Sequence, residues 1–261
     1  MDLPEKVREL VGDKPYTCDT IGKSGAAVLC YRDAVLKIAP KEENFEKSVE
    51  MLHWLQGKLP VPKVLCAMTE GNMQYLLMSR VPGKMSCDRE YTQDPDRLAQ
   101  FLADALNMLW RVDISDCPKV RTLEDDLKEA RERVTAGLID VDDCEPETFA
   151  PGGFESPEDL LQWLEENKPE LEPVFSHGDL CLPNIFVEDG HVAGFIDLGD
   201  CGVSDQWRDI ALCYRSLQHN VSGRYASEPN PNFDPDVLFE KLGIAPNREK
   251  LRYYILLDEL F

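Results

Sequence analysis

Two short clusters in the last third of the chain carry residues that could do chemistry. The first, FSHGDLCLPN at 175–184, contains Asp179 and Asn184, and the second, GFIDLGD at 194–200, contains Asp197. Asp, Asn and Gly are common in turns, so turn formation is one explanation of both clusters. The other is phosphoryl transfer, which needs a carboxylate at the attacking hydroxyl, a metal on the phosphates and a cation that contacts the nucleotide.

The spacing of the polar residues favours phosphoryl transfer. Kinases place the catalytic Asp on a loop with an Asn five residues later, and this Asn and a later Asp hold the metal. Asp179 precedes Asn184 by five residues, and Asp197 follows thirteen residues after Asn184. We therefore assign Asp179 to catalysis, and Asn184 and Asp197 to metal binding. Lys37 ends the stretch AVLK at 34–37, in a predicted strand, and matches the nucleotide-binding lysine, although alone it could be an ordinary lysine near a strand end. We interpret His177 as a structural histidine that bonds the loop backbone.

The predicted elements place these residues in two lobes. In the first 80 residues, apolar and β-branched patterns predict strands and one helix: strands 17–21, 26–31, 34–39, 63–68 and 73–78, and helix 44–56. Beyond Pro82-Gly83, periodicity and capping residues predict mainly helices: helices 96–111, 123–135, 156–167, 206–218 and 247–260, and a hairpin of 184–188 with 192–197. The sequence thus predicts a bilobal α+β fold. It has a small β-rich N-terminal lobe with one main helix (1–80), a hinge at about 79–83 and a larger, mostly helical C-terminal lobe (84–261).

Composition excludes several classes of protein. The 261 residues contain 49 acids against 28 bases, a net charge of −21, which argues against nucleic acid as a partner. The acidity suits a cationic partner, or it serves solubility alone. No apolar run approaches the length of a membrane helix, and the start MDLPEKVREL lacks a signal peptide's basic region. The nine cysteines stand singly, so we expect free thiols in the cytoplasm.

Longer stretches of the chain resemble a known family. VFSHGDLCLPNIFVEDGHVAGFIDLGD at 174–200, DISDC at 113–117, WLQGKLPVPKVL at 54–65 and the ending YYILLDELF are similar to the aminoglycoside 3'-phosphotransferases. These antibiotic-resistance kinases have the protein-kinase-like fold, and the similarity runs from about residue 18 onward. The H-G-D-x-x-x-x-N motif alone also fits choline kinases, homoserine kinases and other small-molecule kinases. The ending is far more specific to this family.

The resemblance implies a nucleotide site. It implies the same roles as above for the catalytic aspartate and for the two ligands of Mg²⁺, with two metal ions. Lys37 would contact the α- and β-phosphates, and the hinge backbone at Ser79 and Val81 would hold adenine. The loop GKSG, with Gly22 and Ser24, would lie over the phosphates. Glycine-rich backbone can approach phosphate closely, although this G-x-x-G pattern is shorter than the protein-kinase glycine loop.

The resemblance also implies a polycationic acceptor. The reaction would move the γ-phosphate of ATP or GTP to the 3'-hydroxyl of kanamycin- and neomycin-type drugs, which confers resistance. Carboxylates are natural partners of the drug's ammonium groups, although an acidic loop is otherwise simply solvated. The alternatives are a kinase for another small alcohol, such as choline, homoserine or a sugar, and a non-catalytic nucleotide-binding relative. We expect a monomer or weak dimer. The candidate substrate-binding residues, with the carboxylate ending the chain, are Asp142, Asp143, Glu145, Glu147, Asp258, Glu259 and Phe261.

Three positions depart from the family pattern. The helix glutamate that pairs with the nucleotide-binding lysine falls on Ser48, so Glu46 or Glu50 would have to replace it, or the pair is absent. The aromatic residue that stacks on adenine is Val35, which could lower purine affinity or change the preference between ATP and GTP. Asp200 stands where we expect Arg beside the metal site, which could weaken nucleotide binding or add an ammonium contact.

Overall fold

The computed structural model describes residues 3–18, 26–42 and 44–261. The expected phosphate loop, with Gly22 and Ser24, lies outside these residues. Contacts divide the chain into two compact units. The first comprises Met1–Lys84 and Phe186–Asp200, and the second comprises Met85–Ile185 and Cys201–Phe261.

An antiparallel five-stranded sheet with the order β1-β2-β3-β5-β4 forms the centre of the first unit. Its strands are β1 (Thr17–Cys18), β2 (Ala27–Cys30), β3 (Ala34–Pro40), β4 (Val64–Glu70) and β5 (Met73–Ser79). Residues alternate along β3, so that Leu36 and Ile38 enter the apolar core. Val35 and Lys37 therefore lie on the opposite face of the strand.

Among the described residues of the first unit, two helices accompany this sheet, α1 (Glu5–Val11) and α2 (Phe45–Trp54). The sequence predicts α2 but not α1, whose seven residues are too few to display a helical period. Val7 and Val11 of α1 are nevertheless buried in the core that contains Leu29 and Leu77. A helix of this length is not stable alone in water, so the burial of these two side chains stabilises α1.

A hairpin of β8 (Ile185–Glu188) and β9 (His191–Phe195) turns at Asp189 and Gly190, which both have positive φ, as a type I′ turn requires. Its residues from Phe186 onward cluster with the first unit. The sequence placed this hairpin in the C-terminal lobe.

Close backbone contacts explain why the hairpin groups with the first unit. The amide of Phe195 donates to the carbonyl of Pro60 at 3.0 Å. A Cβ on Gly194 would lie 2.5 Å from that same oxygen, and a Cβ on Gly83 would lie 2.2 Å from the carbonyl oxygen of Val187. Glycine is therefore required at both positions, because the backbones approach too closely for any side chain.

The second unit is mainly helical. Its helices are α3 (Arg89–Thr92), α4 (Pro95–Trp110), α5 (Leu123–Thr135), α6 (Pro157–Glu166), α7 (Gln206–Val221), α8 (Val237–Leu242) and α9 (Arg248–Asp258). Strands β7 (Pro173–Ser176) and β10 (Gly202–Asp205) pair antiparallel. Along the chain, the division between the two units falls within the short strand β6 (Lys84–Met85). The bounds of α5 match the prediction because Thr122 and Asp125 form a capping box. Among the described residues, no helix is both long enough and apolar enough to cross a membrane.

Candidate active site

Asp179 and Asn184 lie together in the second unit, on the loop and short 3₁₀ turn that follow β7. The side-chain nitrogen of Asn184, Nδ2, donates to the Oδ2 atom of Asp179 at 3.0 Å and to the backbone carbonyl oxygen of Asp179 at 2.9 Å. Asn184 is buried whereas Asp179 is exposed. The buried amide thus fixes the orientation of an exposed carboxylate.

The backbone before Asp179 is held by a buried carboxylate of α7. Asp209 accepts the amide protons of His177 at 2.8 Å and of Gly178 at 3.0 Å. Burial raises the pKa of Asp209, although the charge of His177, the two backbone bonds and Arg208 oppose that rise. Gly178 has φ of +88°, a backbone conformation that favours glycine.

His177 is fully buried in the same loop. Its Nδ1 atom accepts the backbone N–H of Asp179 at 3.3 Å. This bond ties the ring to the loop backbone, which is the geometry that a structural histidine would have.

Lys37 and Asp197 form an ion pair within the first unit, with Nζ and Oδ1 3.0 Å apart. The side chains are 33% and 48% exposed, so water and ligands can reach both. Asp197 has φ of +57°, a left-handed conformation that Asp tolerates better than most residues. In the described part of the chain, no ion pair joins Lys37 to Glu46 or Glu50. The hydroxyl of Ser48 donates instead to the Asn44 carbonyl.

The two candidate metal ligands fit Mg²⁺, which takes oxygen donors. Three contacts engage the amide nitrogen of Asn184, including Cys181 Sγ at 3.2 Å, so its amide oxygen is the atom left for a metal. Asp197 offers an exposed carboxylate. No group of three or more His, Cys, Asp or Glu residues that could hold a metal occurs among the described residues. In proteins, Mg²⁺ is usually bound by only one or two carboxylates together with substrate phosphates and water.

The expected adenine-binding residues lie at and just beyond the end of β5. Ser79 ends β5, and its amide donates to the carbonyl of Lys63 at 2.9 Å while its hydroxyl accepts the amide of Lys63 at 2.9 Å. Val81 is buried two residues further on. Asp200, the residue that departs from the family pattern, is exposed.

The candidate acids of the 142–147 loop differ in their surroundings. Asp142, Asp143 and Glu147 are exposed. Glu145 is held by α7, because its Oε2 atom lies 3.1 Å from Nε2 of His219. Burial acts to raise the pKa of Glu145, but the bond to His219 and the charges of His219, Arg215 and Arg224 outweigh it and hold the pKa below 4.5.

The candidate residues at the end of the chain are also paired. Arg215 forms an ion pair with Asp258 and lies 3.8 Å from Glu259. The carboxylate of Glu259 accepts the backbone N–H of Glu145 at 3.2 and 3.1 Å, and burial raises its pKa. Arg133 of α5 donates to the Phe261 carbonyl oxygen. The structure thus brings Glu145, Asp258 and Glu259 together around one arginine.

A cavity of about 820 Å³ opens beside this cluster in the second unit. Glu145, Glu147, Arg215 and Arg224 are among its lining residues. Two of the candidate acids therefore face a space large enough for a small molecule.

Sequence reasoning missed Asp209. The signal that could have found it is an acid on an apolar helical face, because Asp209 lies among Trp207, Ile210 and Ala211 in the chain. Asp is almost never fully buried without partners. Such an acid therefore predicts a hydrogen-bonding role inside the protein.

Comparison with known proteins places the chain in a family. The model of the phosphotransferase enzyme family (APH) matches residues 26–238, which is more than half of the chain. An aminoglycoside 3'-phosphotransferase of Enterococcus faecalis is 43% identical over 84% of this chain and 79% of its own length. Another, from Staphylococcus aureus, is 39% identical over 98% of this chain and 93% of its own length.

Solved structures agree with these relatives. Aminoglycoside phosphotransferase APH(3'')-Id of Streptomyces rimosus is 26% identical, covers 97% of this chain and 95% of its own, and gives a TM-score of 0.82. The same protein has also been solved in complex with ADP and streptomycin, with a TM-score of 0.78. The expected α+β, protein-kinase-like fold is confirmed, and so is the resemblance that the sequence suggested.

Proposed function

We propose that this chain, which belongs to the phosphotransferase enzyme family and to its aminoglycoside 3'-phosphotransferase branch, phosphorylates the 3'-hydroxyl of kanamycin- and neomycin-type aminoglycosides. Family membership makes it a phosphotransferase with a hydroxyl group as acceptor. The observation that carries the finer proposal is the bond from Asn184 to the exposed carboxylate of Asp179. It aims a fixed carboxylate outward, where a hydroxyl can approach.

Asp179 would orient the acceptor hydroxyl and accept its proton as the phosphoryl group is transferred. Positioning of this kind lowers a barrier because the reacting groups no longer have to find each other. The bonds from the amides of His177 and Gly178 to Asp209 support this role, since they keep the loop in one conformation. His177 would support the loop without taking part in proton transfer.

The first unit would bind the nucleotide, with ATP or GTP as donor. Lys37 would contact the α- and β-phosphates, and the backbone at Ser79 and Val81 would hold the base. Asn184 and Asp197 would hold two Mg²⁺ ions, which neutralise charge on the transferred phosphoryl group when bound. The half-exposed pair of Lys37 and Asp197 supports this assignment, because the phosphates and the metal can each replace one partner.

The acidic residues of the second unit would bind the ammonium groups of the drug. Solvent reaches the exposed loop acids, although Asp143 lies 3.6 Å from Arg224. Glu145, Asp258 and Glu259 would share their charge with Arg215, Arg224 and His219. The net charge of −21 supports attraction of a polycation over a longer range. The exposed acids of this proposed site are Asp142, Asp143 and Glu147.

The nine cysteines all lie among the described residues and form no disulfide there, which supports a reducing compartment. We therefore propose a cytoplasmic enzyme, acting as a monomer or weak dimer without nucleic-acid or membrane partners. Phosphorylation would place negative charge where the drug needs a hydroxyl, and so would confer resistance.

A matched pair of acceptors tests the proposal. Nucleotide turnover should be rapid with kanamycin B and absent with its 3'-deoxy analogue, and ³¹P-coupled NMR of the product should locate the phosphate on O3'. Choline and homoserine serve as small-alcohol controls. Equal turnover of the 3'-deoxy analogue would show that the 3'-hydroxyl is not the acceptor. Turnover with choline alone would show that the substrate is a small alcohol and not an aminoglycoside. Binding of nucleotide without turnover of any acceptor would favour a non-catalytic relative.

A second acceptor position is favoured by one comparison. The Streptomyces rimosus neighbour is an APH(3'') protein solved with streptomycin, so streptomycin belongs in the same panel. Turnover of streptomycin together with kanamycin B would indicate a broad acceptor site. Streptomycin alone would move the assignment to the 3''-hydroxyl.

A further inference from the structure

The peptide groups on either side of Gly178 are held by two consecutive residues of α7. Asp209 accepts the N–H of Gly178 at 3.0 Å, and Arg208 donates from Nε to its carbonyl oxygen at 3.1 Å. That carbonyl belongs to the peptide bond that enters Asp179. Rotation of the Gly178–Asp179 peptide would therefore break the bond from Arg208.

The guanidinium of Arg208 is itself held in place. Its NH1 atom donates to Oδ2 of Asp126 at 2.6 Å, and the two side chains are only 12% and 2% exposed. One guanidinium thus bridges the loop carbonyl and a buried carboxylate. Arginine suits this bridge because its donors lie on separate nitrogens of a rigid planar fork, whereas the three donors of a lysine ammonium all radiate from one nitrogen.

Asp126 belongs to α5 and is anchored on its other side as well. It lies in the first turn of the helix, where the helix dipole favours a negative charge. Arg121 pairs with its Oδ1 atom. The backbone of Arg121 is fixed in turn, because its amide donates at 2.9 Å to the carbonyl of Val203 in β10.

We propose that Arg208 is a positioning residue for the phosphotransfer reaction, and that Asp126 of α5 is its anchor. The chain of contacts from Asp126 through Arg208 to the Gly178 carbonyl sets the backbone from which the Asp179 carboxylate projects. The proposal rests on the proposed function only in that Asp179 orients the acceptor hydroxyl. It adds a buried support that joins α5 to the catalytic loop, separate from the support given by Asp209.

Steady-state kinetics on Arg208→Gln, Arg208→Lys and Asp126→Asn test the proposal, with kanamycin B and ATP as substrates. For Arg208→Gln, we expect kcat to fall about 10- to 100-fold, because small displacements of a catalytic group carry losses of that size. Both KM values should stay within about twofold. Arg208→Lys should lose kcat similarly yet keep a Tm closer to wild type, because it retains only the contact to Asp126. The double variant Asp126→Asn/Arg208→Gln should be no slower than Arg208→Gln, since Asp126 acts through Arg208.

Lys250→Gln is the matched control. Lys250 is also buried in the second unit, paired with Glu172 at 2.8 Å and with Asp205 at 3.3 Å, so its loss should lower Tm while kcat stays unchanged. A kcat of Arg208→Gln within twofold of wild type would overturn the proposal. Full kcat in Arg208→Lys would also overturn it, because charge alone would then suffice.

Hydrogen–deuterium exchange separates this proposal from the proposed function. Peptides that cover residues 175–184 should exchange at least fivefold faster in Arg208→Gln and Asp126→Asn than in wild type or Lys250→Gln. This measurement needs no turnover. If the wild-type protein is inactive but the loop exchanges faster in the variants, the proposed function is contradicted and the structural support of the loop by Arg208 and Asp126 is not. If loop exchange is unchanged in the folded variants, the proposal that Arg208 and Asp126 position the loop is contradicted.

Discussion

The ion pair of Lys37 with Asp197 in the first unit and the loop that carries Asp179 in the second unit differ in how far they are exposed to water. Lys37 and Asp197 are both substantially exposed, so their attraction is screened by water. The loop around Gly178 and Asp179 is supported by Asp209, which is fully buried. An exposed pair costs little to separate, whereas a buried hydrogen-bonded carboxylate is costly to disturb. The first arrangement suits groups that must exchange partners with a ligand, and the second suits a group that must not move.

The largest expected effect comes from Asp179→Asn. We expect kcat to fall about a thousandfold, because the amide cannot accept the proton of the hydroxyl. KM for ATP and for kanamycin B should change little. Asp189→Asn, in the exposed hairpin turn, removes the same charge and should leave kcat unchanged. A kcat of one tenth of wild type or more in Asp179→Asn would show that this carboxylate is not the catalytic one.

Asp197→Asn tests the exposed pair. The substitution replaces the proposed anionic ligand of Mg²⁺ by a neutral one, so kcat/KM for ATP should fall by about 100-fold and the Mg²⁺ requirement should rise. Activity titrated with Mg²⁺ measures both, with Asp189→Asn again as control. If the Mg²⁺ curve is unaltered, the metal is held elsewhere.

Two stability measurements test the difference in burial between Asp209 and the pair of Lys37 with Asp197. Asp209→Asn leaves one buried backbone N–H without an acceptor and should cost about 2–3 kcal/mol, which corresponds to a fall in Tm of about 5–10 °C. Lys37→Met should cost less than about 1 kcal/mol, since it removes only an exposed pair, yet it should abolish productive nucleotide binding. Similar losses of Tm in the two variants would contradict the assigned difference in environment.

The smallest effect concerns Glu145. Its side chain is 22% exposed, which is less than Lys37 or Asp197 and more than the fully buried Asp209. Its folded pKa is held below 4.5, so its contribution to stability is present above pH 4.5 and is lost as the pH falls through the folded value. Glu145→Gln should therefore flatten the dependence of unfolding free energy on pH below about pH 4.5, by less than about 1 kcal/mol. Urea unfolding at several pH values measures it, and parallel pH profiles would contradict the pairing with His219.

Local signals in the sequence account for much of the fold and for the pairs within the site. Caps and periodicity give α5 its bounds, and the five-residue spacing brings Asp179 to Asn184. Contacts between distant segments leave no such signal. The pairing of β7 with β10 and the support of Gly178 by Arg208 and Asp126 depend on where the chain returns in space. For the same reason, the sequence indicated that Glu145 and Glu259 are acidic but not that α7 neutralises them.

The two glycine contacts of the β8–β9 hairpin bear on the order in which the protein forms during synthesis. Residues 186–200 complete the first unit through the close approaches at Gly83 and Gly194, and they bring Asp197 to Lys37. A ribosome adds about 5–20 residues per second, so roughly 5–20 s separate Lys84 from the hairpin. During that interval the nascent first unit lacks the hairpin, and Lys37 lacks its carboxylate. The first residues made are therefore not the first to reach their final contacts, and a fragment that ends at Lys84 would lack both.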